Sequence, residues 1–267
     1  MTQPIGKPLD ADEYASRHDA QVDAAAADFE SVCLLARQQC NRRWLDRLQP
    51  RRVLEVGCGP LLLAPDWLAM QPADSRWAVV EPAARWAEVA RGAAARDDRI
   101  SVVQDYIENA APALQTLAAL RGSTPEVDLV LVSGVIHETA EPEALLRAAL
   151  ALLRPGGHLL VSVPNAGSFH RLLAVQIGLI PAANTLGERN RLLGQPVVYG
   201  AAELRALVLG PGLTETGFEG YLFKPFTHAQ MAPLMPQLGE AGLQGLIELG
   251  RQFPEQAAEI CLVARKP

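Results

Sequence analysis

Only four of the 267 residues are cysteine, at positions 33, 40, 58 and 261. No two of them stand in a C-x-x-C pair or at Cys/His zinc spacing, which excludes the common metal and redox motifs. The same scarcity excludes a disulfide framework and leaves reduced thiols as the expectation. Basic excess is also missing. The formal charge is −6, which argues against a surface that reads nucleic-acid phosphates, because such surfaces need clustered Lys and Arg. Arg42, Arg43, Arg47, Arg51 and Arg52 do cluster, and they read as the solvated face and end of a helix. No apolar run approaches the roughly 18 residues of a membrane span. Met1–Asp10 is polar, without the apolar stretch of a signal peptide, so a cytoplasmic location is expected. Internal repeats and low-complexity segments are likewise lacking.

What is present is an ordinary globular composition, 49% apolar and 20% charged, on a chain long enough for one large domain with an appended lid. Residues 1–12 read as a loose arm, followed by a helical pattern from Asp12 to Leu48 that Gln49-Pro50 ends. Short apolar runs then alternate with helical patterns. Strands are expected at 52–57, 77–81, 100–104, 127–132 and 158–163. Helices are expected at 65–70, 82–96 (Pro82 at the first position), 111–120 and 142–153, the last stopped by Arg154-Pro155-Gly156-Gly157. This alternation calls for a parallel sheet covered on both faces. After Pro164 it breaks. Residues 165–200 hold a helical stretch, Phe169–Ile177, and a polar loop, Asn184–Gln195; an insertion of that size is more often functional than idle. A helix at 201–208, a strand within 213–223, a helical extension over 227–253 and a last strand at 260–264 complete the chain.

The first strand runs into Glu55-Val56-Gly57-Cys58-Gly59-Pro60 and then a helix. Glycines there let the backbone approach a ligand closely, at the carboxyl end of a parallel strand, where open sheets bind nucleotides. The next strand ends in Glu81, whose carboxylate can accept hydrogen bonds from two ribose hydroxyls. The third is followed by Asp105, which can accept from an adenine amino group. A dinucleotide fingerprint would need G-x-G-x-x-G, and position 62 is Leu.

Val53–Pro60, Glu81, Asp105 and Leu153-Arg154-Pro155-Gly156-Gly157, in that order, resemble the successive motifs of the class I S-adenosylmethionine-dependent methyltransferases. The resemblance covers residues 50–165 closely and the remainder more loosely. It implies an α/β, Rossmann-like, seven-stranded and mostly parallel sheet with helices on both faces and a helical lid. It also implies S-adenosylmethionine as the cofactor and a small-molecule acceptor. Carried over by position, Glu55, Gly57, Cys58 and Gly59 line the methionine and ribose part of the cofactor. Glu81 and Pro82 hold the ribose, Asp105 and Tyr106 flank the adenine, Ser133 and Val135 border the methyl group, and Tyr14 closes over the cofactor. One departure stands out: the family's third glycine is replaced by Leu61.

Methyl transfer from a sulfonium needs alignment, and it needs a base only when the acceptor carries a proton that must leave. His137 and His170, just after the fourth and fifth strands, are the candidate bases, since histidine titrates near neutrality; a loop histidine satisfied locally is the other reading of each. Glu138 either orients a histidine or is solvated. Arg171 is the candidate for binding an acidic group of the acceptor, with Asn165 as a second acceptor contact. Members that chelate a catechol through magnesium carry acids where this chain has Ser133 and Asn165, so no metal is expected. The Asn/Asp-Pro-Pro-aromatic signature of amino-methylating nucleic-acid enzymes is missing as well.

The expected organisation is an N-terminal helical arm or cap over 1–50, a cofactor-binding core over 51–165, a lid insertion over 166–200, and the end of the core sheet over 201–267 with the helical extension at 227–253. Leu172, Leu173, Val175, Ile177, Leu179 and Ile180 line the lid, form a homodimer surface, or pack as core. The expected activity is methylation of a small molecule, at an oxygen of a natural product, sugar or quinone-like compound. The alternatives are a non-catalytic cofactor-binding partner subunit and a peptide or protein methyltransferase.

Overall fold

A computed structural model describes residues 9–23, 29–120 and 124–267. Most of the arm expected over 1–12 lies outside the described residues. The chain forms one seven-stranded sheet in the order β3-β2-β1-β4-β5-β7-β6. Strands β1 (Arg52–Val56), β2 (Arg76–Val80), β3 (Ile100–Val103), β4 (Val127–Ser133) and β5 (Leu153–Pro164) run parallel. Strands β6 (Thr214–Tyr221) and β7 (Glu259–Arg265) form a hairpin, and β7 pairs antiparallel to β5. The order reverses between β1 and β4, which opens a crevice at the carboxyl ends of those two strands.

Strand residues alternate between two cores. Val53, Leu129 and Leu131 face one side with Trp44, Trp67, Trp77 and Ile247. Leu54, Val56, Val130 and Val132 face the other with Ile107, Leu145, Leu146 and Leu204. The first side is covered by α2 (Glu30–Leu48), α3 (Ala64–Leu68), α4 (Ala84–Ala94) and α11 (Met235–Gln252), the second by α5 (Ile107–Leu120), α6 (Pro142–Leu152) and α9 (Ala201–Leu209). The strands are buried on both faces, which is why they read as unbroken apolar runs.

Most boundaries shift by one or two residues from the sequence reading, residues 24–28 of the helix expected over 12–48 lie outside the described residues, and three differences have a local reason. Pro82 precedes its helix. Ala83 is the extended N-cap of α4, and the Ala84 N–H is taken by Asp12 Oδ1 at 2.7 Å, from α1 (Ala11–Asp23). Helix α5 begins four residues earlier than expected, because Asp105 Oδ1 accepts from the Tyr106 N–H and the Asn109 amide and closes the first turn. Residues 154–157 belong to β5, which carries Gly156 at φ 74°.

The segment 166–200 contains α7 (Phe169–Gln176) and α8 (Glu188–Leu192), and its end is tied beside the sheet by a bridge between Asn165 and Tyr199. Helix α7 buries none of its residues, and Leu172, Ile177 and Leu179 are exposed, which removes core packing from their three readings. The expected helical extension is α10 (His228–Met231), a 3-10 turn and α11. The arginine cluster is a solvated face: Arg42 pairs with Asp66, Arg43 with Glu219 and Arg51 with Asp74. Among the described residues no helix is long and apolar enough to cross a membrane.

Candidate active site

A cavity of about 950 Å³ opens at the crevice between β1 and β4. It lies at the upper end of the range for ligand pockets, with room for a nucleoside and a second molecule. Its near end is the turn after β1. Gly57 (φ 71°) and Gly59 (φ 59°) are both left-handed, a conformation that glycine adopts without penalty. A Cβ on Gly57 would lie 2.5 Å from Val135 Cγ2, whereas one on Gly59 would meet nothing within 4 Å. The first glycine is therefore a packing requirement, and the second keeps the cavity floor open.

Glu81 sits under this turn, only 2% exposed. One carboxylate oxygen accepts from the Gly59 N–H at 3.1 Å and the other from the Ala83 N–H at 2.9 Å. Burial raises its pKa, and the amide hydrogen bonds oppose the rise. The Cys58 thiol also donates to the first oxygen at 3.7 Å; a carboxylate has about four acceptor sites, so the oxygen bonded to Ala83 keeps capacity for a ligand hydroxyl. Glu55 lies beside it and accepts from the Trp77 indole N–H at 2.9 Å; burial pushes its pKa up to about 8. The indole N–H of Trp86, also on the cavity wall, is buried without a partner. The open floor, the acid beneath it and this unused donor fit a nucleoside with a polar tail.

The structure brings most of the sequence-derived cofactor residues to this end. Tyr14, Glu55, Gly57, Cys58, Gly59, Glu81, Pro82, Tyr106, Ser133 and Val135 all line the cavity. Tyr14 packs edge-on against Trp86 at 6.0 Å, and its hydroxyl donates to Glu138. Ser133 Oγ bonds the Asn41 amide at 3.0 Å and Ser162 Oγ at 2.8 Å. Asp105 is the exception. It lies off the cavity wall, with Oδ1 committed to the start of α5. Leu61 is on the wall, 42% exposed, and leaves the crevice open.

Past Val135 the cavity becomes a chamber rich in charge. His137 is 3% exposed with Nδ1 unpartnered, and burial, aided by Arg37, drives its pKa down to about 3. His170 also has an unpartnered Nδ1; burial and then Lys224, Arg171 and His228 bring it to about 2. Both imidazoles are therefore neutral at cellular pH. Glu138 is not solvated as one reading had it. It accepts from Tyr14 and from Gln195 at 3.3 Å, and burial pushes its pKa up to about 8. The two residues expected to grip the acceptor are engaged by the fold. Asn165 Nδ2 donates to the carbonyls of Glu255 and Ala257, and its Oδ1 accepts from the Gly167 N–H. Arg171 donates to the carbonyls of Ala183 and Thr185, which ties the loop after α7 to that helix.

Sequence reasoning missed the residues that dominate this chamber. Glu30, Cys33, Arg37 and Asn41 lie along one face of α2 and line the cavity. Arg37 holds Glu259, the first residue of β7, through two bonds of 3.0 and 2.8 Å, and Tyr221 donates to the same carboxylate at 2.6 Å. Glu30 accepts from Arg189 at 2.9 Å and faces His228 Nε2 at 3.2 Å; these partners bring its pKa to about 2 against the opposing effect of burial. The signal was present, since polar residues recur at steps of three and four beside the buried Val32, Ala36, Cys40 and Trp44.

A parallel sheet that ends in an antiparallel hairpin, with a left-handed glycine turn over a buried acid, defines a nucleoside-binding enzyme core. The methyltransferase-domain family profile matches residues 31–208. The chain belongs to this family, whose class I members use S-adenosylmethionine. Among curated proteins, the ubiquinone biosynthesis O-methyltransferase of Methylocella silvestris is 32% identical over 125 residues, 45% of this chain and 44% of that protein. The chain spans less than half the length of the curated relatives it matches. Among solved structures, an S-adenosylmethionine-dependent methyltransferase from Mesorhizobium loti superposes with a TM-score of 0.53 at 14% identity, over 84% of this chain and 96% of that one. The [4+2]-cyclase SpnF superposes with a TM-score of 0.51 at 16% identity, over 86% and 80%. At such identities the likeness is one of fold.

Proposed function

We propose that the protein methylates an oxygen of a small aromatic acceptor, a phenol or quinol, with S-adenosylmethionine held over the Gly57–Gly59 turn. The observation that carries this reading is a single cavity running from the turn and Glu81 to a chamber walled by His137 and His170. The name of the curated relatives, ubiquinone biosynthesis O-methyltransferases, supports a quinol-like acceptor.

Glu81 holds the ribose side, Tyr14 and Tyr106 flank the nucleoside, and Ser133 and Val135 border the reacting end. When bound, S-adenosylmethionine supplies a methyl group activated by the positive charge on its sulfur. The chain then has mainly to align the acceptor oxygen, and alignment supplies much of the acceleration of a displacement. An acceptor hydroxyl donating to the free Nδ1 of His137 or His170 has its lone pair fixed in direction. An imidazole whose conjugate acid lies near 2 or 3 removes a proton from a free phenol (about 10, as for Tyr) only far uphill. The same ring readily takes the proton from an oxygen that is already being alkylated, because that oxygen is far more acidic. Proton transfer is accordingly late. The segment 166–200 and the extension 227–253 act as a lid that excludes water, with Arg171 bracing the loop after α7.

Single-turnover methyl transfer to a phenol panel by His137→Ala and His170→Ala tests the assignment. At least one variant slows the chemical step about tenfold or more with S-adenosylhomocysteine affinity unchanged. Wild-type rates in both would remove the histidines from the mechanism. The wild-type rate shows no inflection near pH 6.5, because both imidazoles are already neutral there.

A further inference from the structure

We infer that the acceptor carries a carboxylate and that Lys224, with His228 behind it, is the seat of that group. This deepens the functional reading above and rests on it.

Lys224 lies on the loop after β6 and is 6% exposed, on the cavity wall. Its ammonium has three donors. One meets His228 Nδ1 at 3.1 Å, and among the described residues no carboxylate lies within 4.0 Å of the nitrogen. The chamber's other cations are satisfied. Arg37 is doubly bonded to Glu259, Arg189 is on Glu30, and Arg171 is on two backbone carbonyls. Its acids are taken in the same way: Glu259 by Arg37 and Tyr221, Glu30 by Arg189 and His228. Among the described residues Arg171, like Lys224, meets no acid, but its bonded nitrogens are taken by carbonyls, whereas Lys224 keeps donors to spare. A buried charge without a partner is costly, and this one faces the space the acceptor occupies.

The surroundings hold the lysine in place. Leu222, fully buried, adopts φ 63°, a conformation that is rare for a non-glycine residue. Its neighbours fix it: the Phe223 N–H donates to the Leu246 carbonyl at 2.7 Å, and the Leu222 carbonyl accepts from the Ala258 N–H at 2.7 Å. Two residues on, Lys224 is buried on the cavity wall. His228 is oriented from its far side by Glu30 at Nε2. If Nε2–H donates to that carboxylate, Nδ1 is the lone-pair nitrogen that accepts from Lys224. The lysine is thus held at one donor with two free. Burial lowers its pKa, and an incoming anion reverses that effect. Two free donors on one buried ammonium match the two oxygens of a carboxylate. A phosphate dianion would bring a second negative charge toward Glu30 and Glu259, so the carboxylate is the better fit. The unpartnered Nδ1 of His170 lies in the same chamber, available to the acceptor's other polar group.

The test uses the full chain, 3,4-dihydroxybenzoate, and its methyl ester as the neutral counterpart. Calorimetry in the presence of S-adenosylhomocysteine should show the acid binding at least tenfold tighter than the ester. In Lys224→Met that preference falls to about twofold or less through loss of acid affinity, with the ester unchanged, and Lys224→Arg recovers part of it. Apo Lys224→Met should melt no lower than wild type, since an unmatched charge has been removed. Equal binding of acid and ester by the wild type, no detectable binding of the acid, or an equal loss of both ligands in Lys224→Met each overturns the proposal. So does a large fall in melting temperature, which would mark Lys224 as structural. Failure of the functional reading appears separately, as absent S-adenosylhomocysteine binding or absent methyl transfer to either phenol.

Discussion

The two ends of the cavity are built by different rules. At the glycine-turn end, Glu55, Gly57, Gly59, Glu81 and Ala83 come from one β-α-β stretch, and each sits at or just beyond the carboxyl end of a strand. At the chamber end, Arg37 and Glu259 meet across 222 positions of sequence, and Cys33 meets His228 across 195. The first end depends on backbone conformation, with left-handed glycines and amides donated to one acid. The second depends on side chains brought together from distant segments, with Arg37 on Glu259 and Arg189 on Glu30. A local backbone device tolerates variation elsewhere in the chain. A web of buried charges couples α2 to the last strand, so disturbing it should cost stability first and activity second.

The largest expected effect is at the chamber end. Arg37→Met leaves Glu259 buried with only the Tyr221 hydroxyl, and breaking a buried pair on one side costs about 3–5 kcal/mol. Urea denaturation should show that loss as a lower midpoint at unchanged slope; a change below about 1 kcal/mol would mean the pair is solvated in solution. At the turn end the effect falls on binding. Gly57→Ala combines about 1–2 kcal/mol of left-handed strain with the clash on Val135. S-adenosylhomocysteine affinity should drop about 30-fold or more, and Val135→Ala in the same chain should restore part of it. Gly59→Ala carries the strain without a clash, so its loss should stay near tenfold or below. If the two glycine variants behave alike, the Val135 contact is irrelevant.

A smaller effect separates the ends by pH. Glu55 at the turn and Glu138 in the chamber both have folded pKa values raised to about 8 by burial, against about 4.3 unfolded. The stability each contributes is complete below the unfolded value and lost as pH rises through the folded one. The apo protein should therefore lose about 1 kcal/mol per group between pH 7 and 9. Glu138→Gln should remove about half of that slope, read from urea midpoints at each pH. An unchanged slope would show that Glu138 ionises freely.

Much of the turn end was legible because its rules are short-range. The apolar runs at 52–57 and 127–132 mark doubly buried strands, and Glu55-Val56-Gly57-Cys58-Gly59 followed by Glu81 places an acid under a glycine turn. Asp105 shows the limit even there. An acid after the third strand can cap a helix as readily as face a ligand, and Asn109, one helical turn on, decided for the cap. Arg171 and Asn165 were read as acceptor contacts from their type and position. Their partners are backbone carbonyls of Ala183, Thr185, Glu255 and Ala257, which no spacing rule connects to them.

By itself the sequence determined the α/β class, the order of strands and helices up to residue 164, and the residues of the nucleoside end, because hydrophobic periodicity and glycine conformation act over a few residues. Only the tertiary structure decided that α2 presents Glu30, Arg37 and Asn41 to the cavity, and that His137 and His170 are kept neutral. It alone placed Lys224 on the cavity wall with His228, and no carboxylate among the described residues, in contact with its ammonium. The physical reason is that desolvation and charge pairing depend on which distant segments pack together, and a linear pattern carries no distance between them.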